Sequence, residues 1–248
     1  MISTICNLFK GNKYKIIPKE NLPSQGYFYP IDLEIRLSKG DIQDQINYHY
    51  GLSNSNILGT IDMIKSILKL RVNFKPGEFK FNDLRAIDIF YLFIEFVKYT
   101  TGNKVFFNGI EFSSDKFIYF DFKSIEKNYD PVTRDFVFDG WRFSLPSIGI
   151  ETSLTRFSYE LAIRGLSEKY QNSNYNLIYF MGNRNELEYN DVINLVETME
   201  DLDESDQQYI NNIVEKFNKS GLYFLIEGGK KPTRVTSYML KDIWGISQ

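Results

Sequence analysis

Two residue types on which enzyme chemistry often depends, His49 and Cys6, occur only once each in this chain of 248 residues. One histidine and one cysteine cannot build a disulfide framework, a Cys/His zinc site or a Cys-x-x-Cys redox pair. A nucleophile activated by imidazole would have to use His49, which we expect at a helix end beside the last backbone carbonyls. The composition therefore argues against most hydrolase and redox mechanisms. It leaves open catalysis by carboxylates, Lys, Tyr or an added cofactor.

Two short motifs suggest ligand binding at first sight, but their spacing is wrong. Residues 228–232 (GGKKP) lack the Gly-x4-Gly-Lys-Ser/Thr spacing that surrounds a phosphate with backbone amides. Residues 201–205 (DLDES) resemble the start of a calcium loop, but Asp206 and Asn212 occupy the positions that require Gly and Glu. We therefore expect a basic turn and a solvated acidic turn, with Ser205 capping the helix that follows.

Paired carboxylates are the remaining candidates for chemistry, for example Asp83 with Asp88 or Glu126 with Asp130. A chain with 32 acidic residues contains many such spacings by chance, and without a cleft they do not indicate catalysis. The sequence thus predicts no enzyme, and no catalytic, cofactor-binding or metal-ligating residue.

The composition also limits the class of partner. The net charge is −3 and the pI about 5.4, so no general cationic surface for nucleic acid is expected. No apolar run reaches the length of a membrane-spanning helix, and the N-terminus lacks the apolar core of a signal peptide. We expect a soluble protein, either intracellular or carried in an assembly. Aromatic residues make up 16% of the chain, which favours both ring-rich cores and protein interfaces.

The periodicity of apolar residues predicts an α+β fold with helices around one central buried helix. Residues 33–37 alternate as a half-buried strand. Ile42, Ile46 and Tyr50 form the apolar stripe of a helix over residues 40–50 that Gly51 can end. A second helix is expected over residues 56–70. The central helix spans residues 84–97, is apolar almost all round, and ends at Gly102, with a cap at Asn82 or Asp83.

After Gly102 the period changes from 3.6 to 2, which predicts an antiparallel β region inserted in the chain. Asn108-Gly109 and Asp139-Gly140 are hairpin turn signals. The remainder is expected to be mainly helical, with a helix from residue 154 and helices over residues 189–199, 205–218 and 235–244. An apolar piece is expected at 177–181, and a short strand or buried run at 222–226. The predicted organisation is an N-terminal arm (1–21), a strand and helical part (22–103), the β region (104–153) and a C-terminal part (154–248). Residues 22–248 are expected to form one compact unit.

The turn at residues 22–30 and the aromatic β region are the candidate interaction elements. Their rings allow two interpretations, the core face of a small sheet or a surface for protein docking. Acidic residues interleave with the rings, which disfavours a nucleic-acid face. The candidate interaction residues are Pro23, Tyr27, Phe28, Tyr29, Phe136, Phe138 and Trp141.

Four segments carry a resemblance to a known family. Residues 22–30 (LPSQGYFYP) resemble its LPS.G..Y pattern, and residues 81–93 (FNDLRAIDIFYLF) resemble its L…D..YLF helix. Residues 143–146 (FSLP) look like its strand-to-proline element, and residues 188–200 resemble its late helix. Val97-Lys98 stands where the family tends to carry an arginine. In these segments the chain resembles the baseplate hub proteins of T-even-type contractile-tailed bacteriophages.

The resemblance implies a small tail protein, without known enzymatic chemistry, that helps to build the central hub of the baseplate. Its partners would be other phage tail proteins, with self-association in the assembly also open, and neither nucleic acid, a membrane nor a cofactor is implied. The protein would be assembled in the host cytoplasm and carried in the virion. Two other functions stay open: a transient tail-assembly chaperone or adaptor absent from the mature particle, and a carboxylate- or cofactor-dependent enzyme.

Overall fold

The computed structural model describes residues 14–54, 57–166, 187–226, 231–241 and 243–244. These residues form α-helices and several small antiparallel sheets, which confirms the α+β class. Residues 1–13 of the predicted arm and the apolar piece at 177–181 lie outside the described residues.

The first sheet has three antiparallel strands in the order β1 (Lys15–Ile17), β2 (Glu34–Leu37) and β3 (Val72–Lys75). The predicted strand at 33–37 is therefore present, and its alternation buries Ile35 and Leu37. β1 lies within the segment assigned to an arm. That assignment is corrected for residues 15–17, because their backbone groups are paired with β2.

The next two helices are α1 (Ile42–Asn54) and α2 (Ile57–Arg71), and they pack against each other. α1 continues past Gly51, which was predicted to end it. A Cβ on Gly51 would collide with the side chain of Met63, so glycine allows α2 to approach closely without displacing that side chain. The sequence cannot distinguish this role of a glycine from that of a helix terminator.

The central helix α3 (Ile89–Thr101) is buried along most of its length and ends at Gly102, whose φ of 71° lies in the left-handed region. α3 starts five residues later than predicted. The reason is that the carbonyl of Leu84 and the N–H of Ala86 bond to residues 148 and 146, at 2.8 and 2.9 Å, and not within a helix.

The aromatic β region contains two tight hairpins but no single sheet. β4 (Phe106–Phe107) and β5 (Ile110–Glu111) form a two-stranded hairpin at Asn108-Gly109. Both turn residues have positive φ, as a two-residue hairpin turn requires. Asp139-Gly140 forms a second turn of this kind in the sheet of β7 (Tyr129–Asp130), β8 (Asp135–Phe138) and β9 (Trp141–Phe143).

One strand of this region pairs outside it. β6 (Phe117–Ile118) bonds to β10 (Tyr223–Phe224), which in turn pairs with β11 (Thr233–Arg234). Of the two interpretations of residues 222–226, a strand is present at Tyr223–Phe224, and it connects the β region to the C-terminal part of the chain.

The C-terminal helices are α4 (Ile148–Ile163), α5 (Tyr189–Glu200) and α6 (Glu204–Asn218). α4 begins six residues before the predicted boundary at 153/154, because Ser147 Oγ caps it by accepting from the N–H of Ile150 at 3.1 Å. The cap of α6 is Asp203 and not the predicted Ser205, since Asp203 accepts from the N–H of Asp206 at 2.8 Å.

The predicted last helix at 235–244 is wrong. Its described residues form turns and bends, while five of its apolar side chains are buried in the core around α3: Val235, Met239, Leu240, Ile243 and Trp244. Trp244 stacks edge-on against Phe96, with ring centroids 5.2 Å apart, and Tyr48 donates a hydrogen bond to the carbonyl of Lys241 at 2.9 Å. Packing of individual side chains, and not helix periodicity, therefore fixes this segment.

Three clusters of buried side chains connect these elements. The largest joins α3, the first sheet, α2 and residues 222–244. The second joins Phe28, rings of the β7–β8–β9 sheet and α6. The third lies between α4 and α5. The predicted segments 22–103, 104–153 and 154–248 therefore share cores.

This arrangement predicts that Trp244→Ala destabilises the protein by about 3–5 kcal/mol, because it removes a buried aromatic ring and leaves a cavity beside α3. The measurement is urea unfolding followed by circular dichroism. Tyr238→Ala is the matched control, since Tyr238 is 72% exposed in the same segment and its loss should cost within about 0.5 kcal/mol. Equal effects of the two substitutions would contradict the described packing.

Candidate functional site

The most conspicuous polar site is a fully buried carboxylate, Asp88, in the turn just before α3. Asp88 Oδ1 accepts from the backbone N–H of Ser24 at 2.9 Å. Its Oδ2 accepts from Ser24 Oγ at 2.7 Å and from Tyr29 Oη at 2.5 Å. A buried charge is tolerated only when such donors replace water. Asp88 thereby fastens the turn at residues 22–30 to the start of α3.

Arg85 extends this connection to a third segment. Its backbone N–H donates to Tyr29 Oη at 2.9 Å, and its buried guanidinium donates to the carbonyl of Leu145 at 2.9 Å and of Phe28 at 3.3 Å. The guanidinium also lies 5.3 Å from the centre of the Phe28 ring. Three of the four segments that carry the family resemblance, 22–30, 81–93 and 143–146, therefore meet in one buried polar network.

Burial controls the electrostatics of this network. Loss of water raises the pKa of Asp88 to about 6, although the hydrogen bonds from Tyr29 and Ser24 and the charge of Arg85 oppose the rise. Burial likewise raises the pKa of Tyr29 well above its usual value and lowers the pKa of Arg85. The network is therefore a set of mutually dependent groups inside the fold and not an exposed reactive site.

The candidate interaction residues fall into two groups. Pro23, Phe28, Tyr29 and Phe136 are buried within the chain. For these four the docking interpretation is corrected, because side chains enclosed by their own fold present no surface to a partner. They belong to the core interpretation of the aromatic region. The partly exposed residues are Tyr27, Phe138 and Trp141.

Tyr27, Phe138 and Trp141 stay candidates for an interface. Tyr27 packs edge-on against Tyr129, with ring centroids 5.1 Å apart, and its hydroxyl donates to Glu126 at 3.3 Å near the surface. Phe138 packs edge-on on Phe143. Each of the three covers a buried ring cluster with one side and reaches solvent with the other.

An exposed apolar surface lies on α1. Ile42, Ile46 and Tyr50 are 75, 53 and 72% exposed, and together they form what we call the α1 face. The sequence predicted these three residues as one stripe of a helix, and in the structure that stripe faces solvent. The face of α1 that packs inward carries Tyr48 and Asp44. Positions 42 and 44 are about 200° apart around a helix, so the two faces are nearly opposite.

The α1 face borders a groove of about 690 Å³ that also reaches Thr100, Thr101 and Trp244. Its one carboxylate, Asp41, is held by Arg71 at 2.7 Å. The groove is therefore mainly apolar, and the exposed isoleucines give it the character of a protein-binding surface.

The other sequence candidates lie apart from one another. His49 is half-buried in α1, with its ring 5.4 Å from Tyr48, and is not at the helix end because α1 continues to Asn54. Asp203 of the acidic turn is exposed and serves as the α6 cap. Cys6 and residues 228–230 lie outside the described residues. No group of three or more His, Cys, Asp or Glu suited to a metal ion occurs among the residues that the structure describes.

Asp83, Glu126 and Asp130, named above as carboxylate pairs, have separate local roles. Asp83 accepts from the N–H of Lys80 at 2.7 Å, and Asp130 accepts from the N–H of Val132 at 2.9 Å. Within the described ranges, no helix is long and apolar enough to cross a membrane.

Comparison of the chain with models of protein families, with curated proteins and with solved structures found no match.

The raised pKa of Asp88 predicts a specific pH dependence of stability. A carboxyl that keeps its proton to a higher pH in the folded state stabilises the fold fully below about pH 4, and this stabilisation is lost as the pH rises through about 6. A pKa difference of this size corresponds to about 3 kcal/mol. We expect the stability of the wild-type protein relative to Asp88→Asn to fall by up to that amount between pH 4 and pH 7.

The measurement is urea unfolding of both proteins at a series of pH values. The difference between their free energies of unfolding cancels the contributions of other titrating groups. One of these is Asp135, because burial raises its pKa to about 6 as well. Asp62→Asn at an exposed position of α2 is the control and should leave the pH profile as in wild type. Parallel profiles of wild type and Asp88→Asn would contradict the assignment.

Proposed function

We propose that this chain is a structural or assembly protein of a contractile phage tail, in or next to the baseplate hub, and that it acts by docking to other tail proteins without catalysis. The observation that carries the proposal is the meeting of residues 22–30, 81–93 and 143–146 around Asp88 and Arg85. A resemblance carried by separate segments is better supported when those segments contact one another in the fold. The same contacts assign these motifs to forming the fold and not to contacting the partner.

The docking surface that the geometry favours is the α1 face. Large apolar side chains left in water each forgo about 1.5–3 kcal/mol of burial free energy. Three of them stand one turn apart on one helix, beside an apolar groove. The occupant that fits is an uncharged apolar segment of another tail protein.

The first test is quantitative mass spectrometry of purified particles and of assembly intermediates from the phage that encodes the chain. The proposal predicts the chain in mature particles at a fixed ratio to other tail proteins. Presence on intermediates with loss from mature particles would replace it with the chaperone function. Absence from both would contradict a role in the tail.

The second test places aspartate in the α1 face. Ile46→Asp should reduce incorporation into particles about tenfold or more, because a charge at the centre of an apolar contact typically costs over 1.4 kcal/mol. Ile31→Asp is the matched control, since Ile31 is 94% exposed and lies outside the groove. Both variants should keep the wild-type melting temperature. Equal incorporation of Ile46→Asp and Ile31→Asp into particles would exclude the α1 face as the docking surface.

A further inference from the structure

A separate cavity of about 190 Å³ lies where α2, the start of α3, α4 and the end of α6 meet. Its walls are largely apolar and include Ile61, Phe90, Leu222 and Val235. A space of this kind accepts one apolar side chain and is distinct from the α1 groove, with which it shares no lining residue. None of the sequence motifs pointed to it.

The charged groups that line this cavity, among the described residues, are two cations and one carboxylate. The cations are Lys65 and Arg234, and the carboxylate, Glu151, is held by Lys65 at 2.6 Å. Arg234 has no carboxylate partner among the described residues. The cavity therefore carries a net charge of +1, and its guanidinium is available to an anion.

Two details hold this guanidinium at the cavity. Arg234 Nη2 donates to the carbonyl of Ser220 at 3.4 Å. A Cβ on Gly221 would lie 3.1 Å from Arg234 Nε, so the glycine allows the guanidinium to lie against the backbone. The position of Arg234 therefore depends on the 220–221 segment.

Ser220 also borders the cavity. It is 1% exposed, and its Oγ is enclosed by the fold without a hydrogen-bond partner among the described residues. The group that can meet a ligand is therefore the Arg234 guanidinium. A carboxylate there would accept a charged pair of N–H donors.

We infer that the cavity binds a carboxylate carried on an apolar group of about one side chain in size. The end of a partner polypeptide that finishes in an aliphatic residue has this chemistry, and a free aliphatic acid shares it. The chain-end ligand rests on the proposed docking function, whereas the chemistry of the cavity does not.

The test is calorimetric titration of the isolated chain with acetyl-Gly-Leu as the free acid, acetyl-Gly-Leu as the amide, and octanoate. The free acid should bind and the amide should bind at least about tenfold more weakly, because the amide cannot form the charged pair. Binding of octanoate without the peptide acid would retain the carboxylate chemistry and overturn the chain end as ligand. Equal binding of acid and amide, or binding of neither acid, would overturn the site.

Three variants locate the binding. Arg234→Gln should weaken binding of the acid about tenfold or more, and Ile61→Trp should block binding by filling part of the cavity with a larger wall residue, at unchanged melting temperature. Arg164→Gln is the matched control, because Arg164 lies outside the cavity. Unchanged affinity in both Arg234→Gln and Ile61→Trp would overturn the site.

Particle incorporation separates this inference from the proposed function. If Arg234→Gln loses binding of the peptide acid and is also incorporated less into particles, a chain end is supported as the ligand. If it loses binding of the acid but is incorporated normally, that ligand is overturned and the tail function is left in place.

Discussion

The fold depends on the need to satisfy one carboxylate away from water. Asp88 is fully buried, and its three hydrogen bonds come from a turn more than fifty residues earlier in the chain. Tyr29 donates to Asp88 and accepts from the Arg85 backbone, so one hydroxyl joins both ends of the contact. The Arg85 guanidinium then fixes the carbonyl of Leu145. Loss of one of these groups leaves a buried donor or acceptor on its neighbours unsatisfied, which is more costly than the bond itself.

The contrast between local and long-range hydrogen bonds explains which parts of the structure could be predicted from the sequence. Features that depend on local backbone chemistry are present where expected, including the Asn108-Gly109 and Asp139-Gly140 turns and the end of α3 at Gly102. The late start of α3 was not predictable, because Leu84 and Ala86 use their backbone groups in bonds to residues about sixty positions away. No local pattern contains that information.

The docking interpretation was wrong for the buried aromatic candidates for a related reason. Aromatic residues favour cores and interfaces alike, so the sequence left both interpretations open for Phe28, Tyr29 and Phe136. Their burial became visible only with the neighbours that enclose them. At α1 the sequence predicted the helix and its apolar stripe, but not which face of the helix packs inward. The opposite face has the inward groups, since Asp44 binds Arg71 at 2.8 Å and Tyr48 bonds to the C-terminal segment.

The motif residues and the candidate binding surfaces are thus different parts of one chain, and the motif residues depend on one another in the core. This dependence can be measured by a double-mutant cycle between Tyr29→Phe and Asp88→Asn, followed by urea unfolding at pH 7. We expect a coupling free energy of about 1–3 kcal/mol, and a value near zero when Tyr27→Phe replaces Tyr29→Phe, since Tyr27 bonds to Glu126 at the surface. Equal, near-zero coupling for both tyrosines would contradict it.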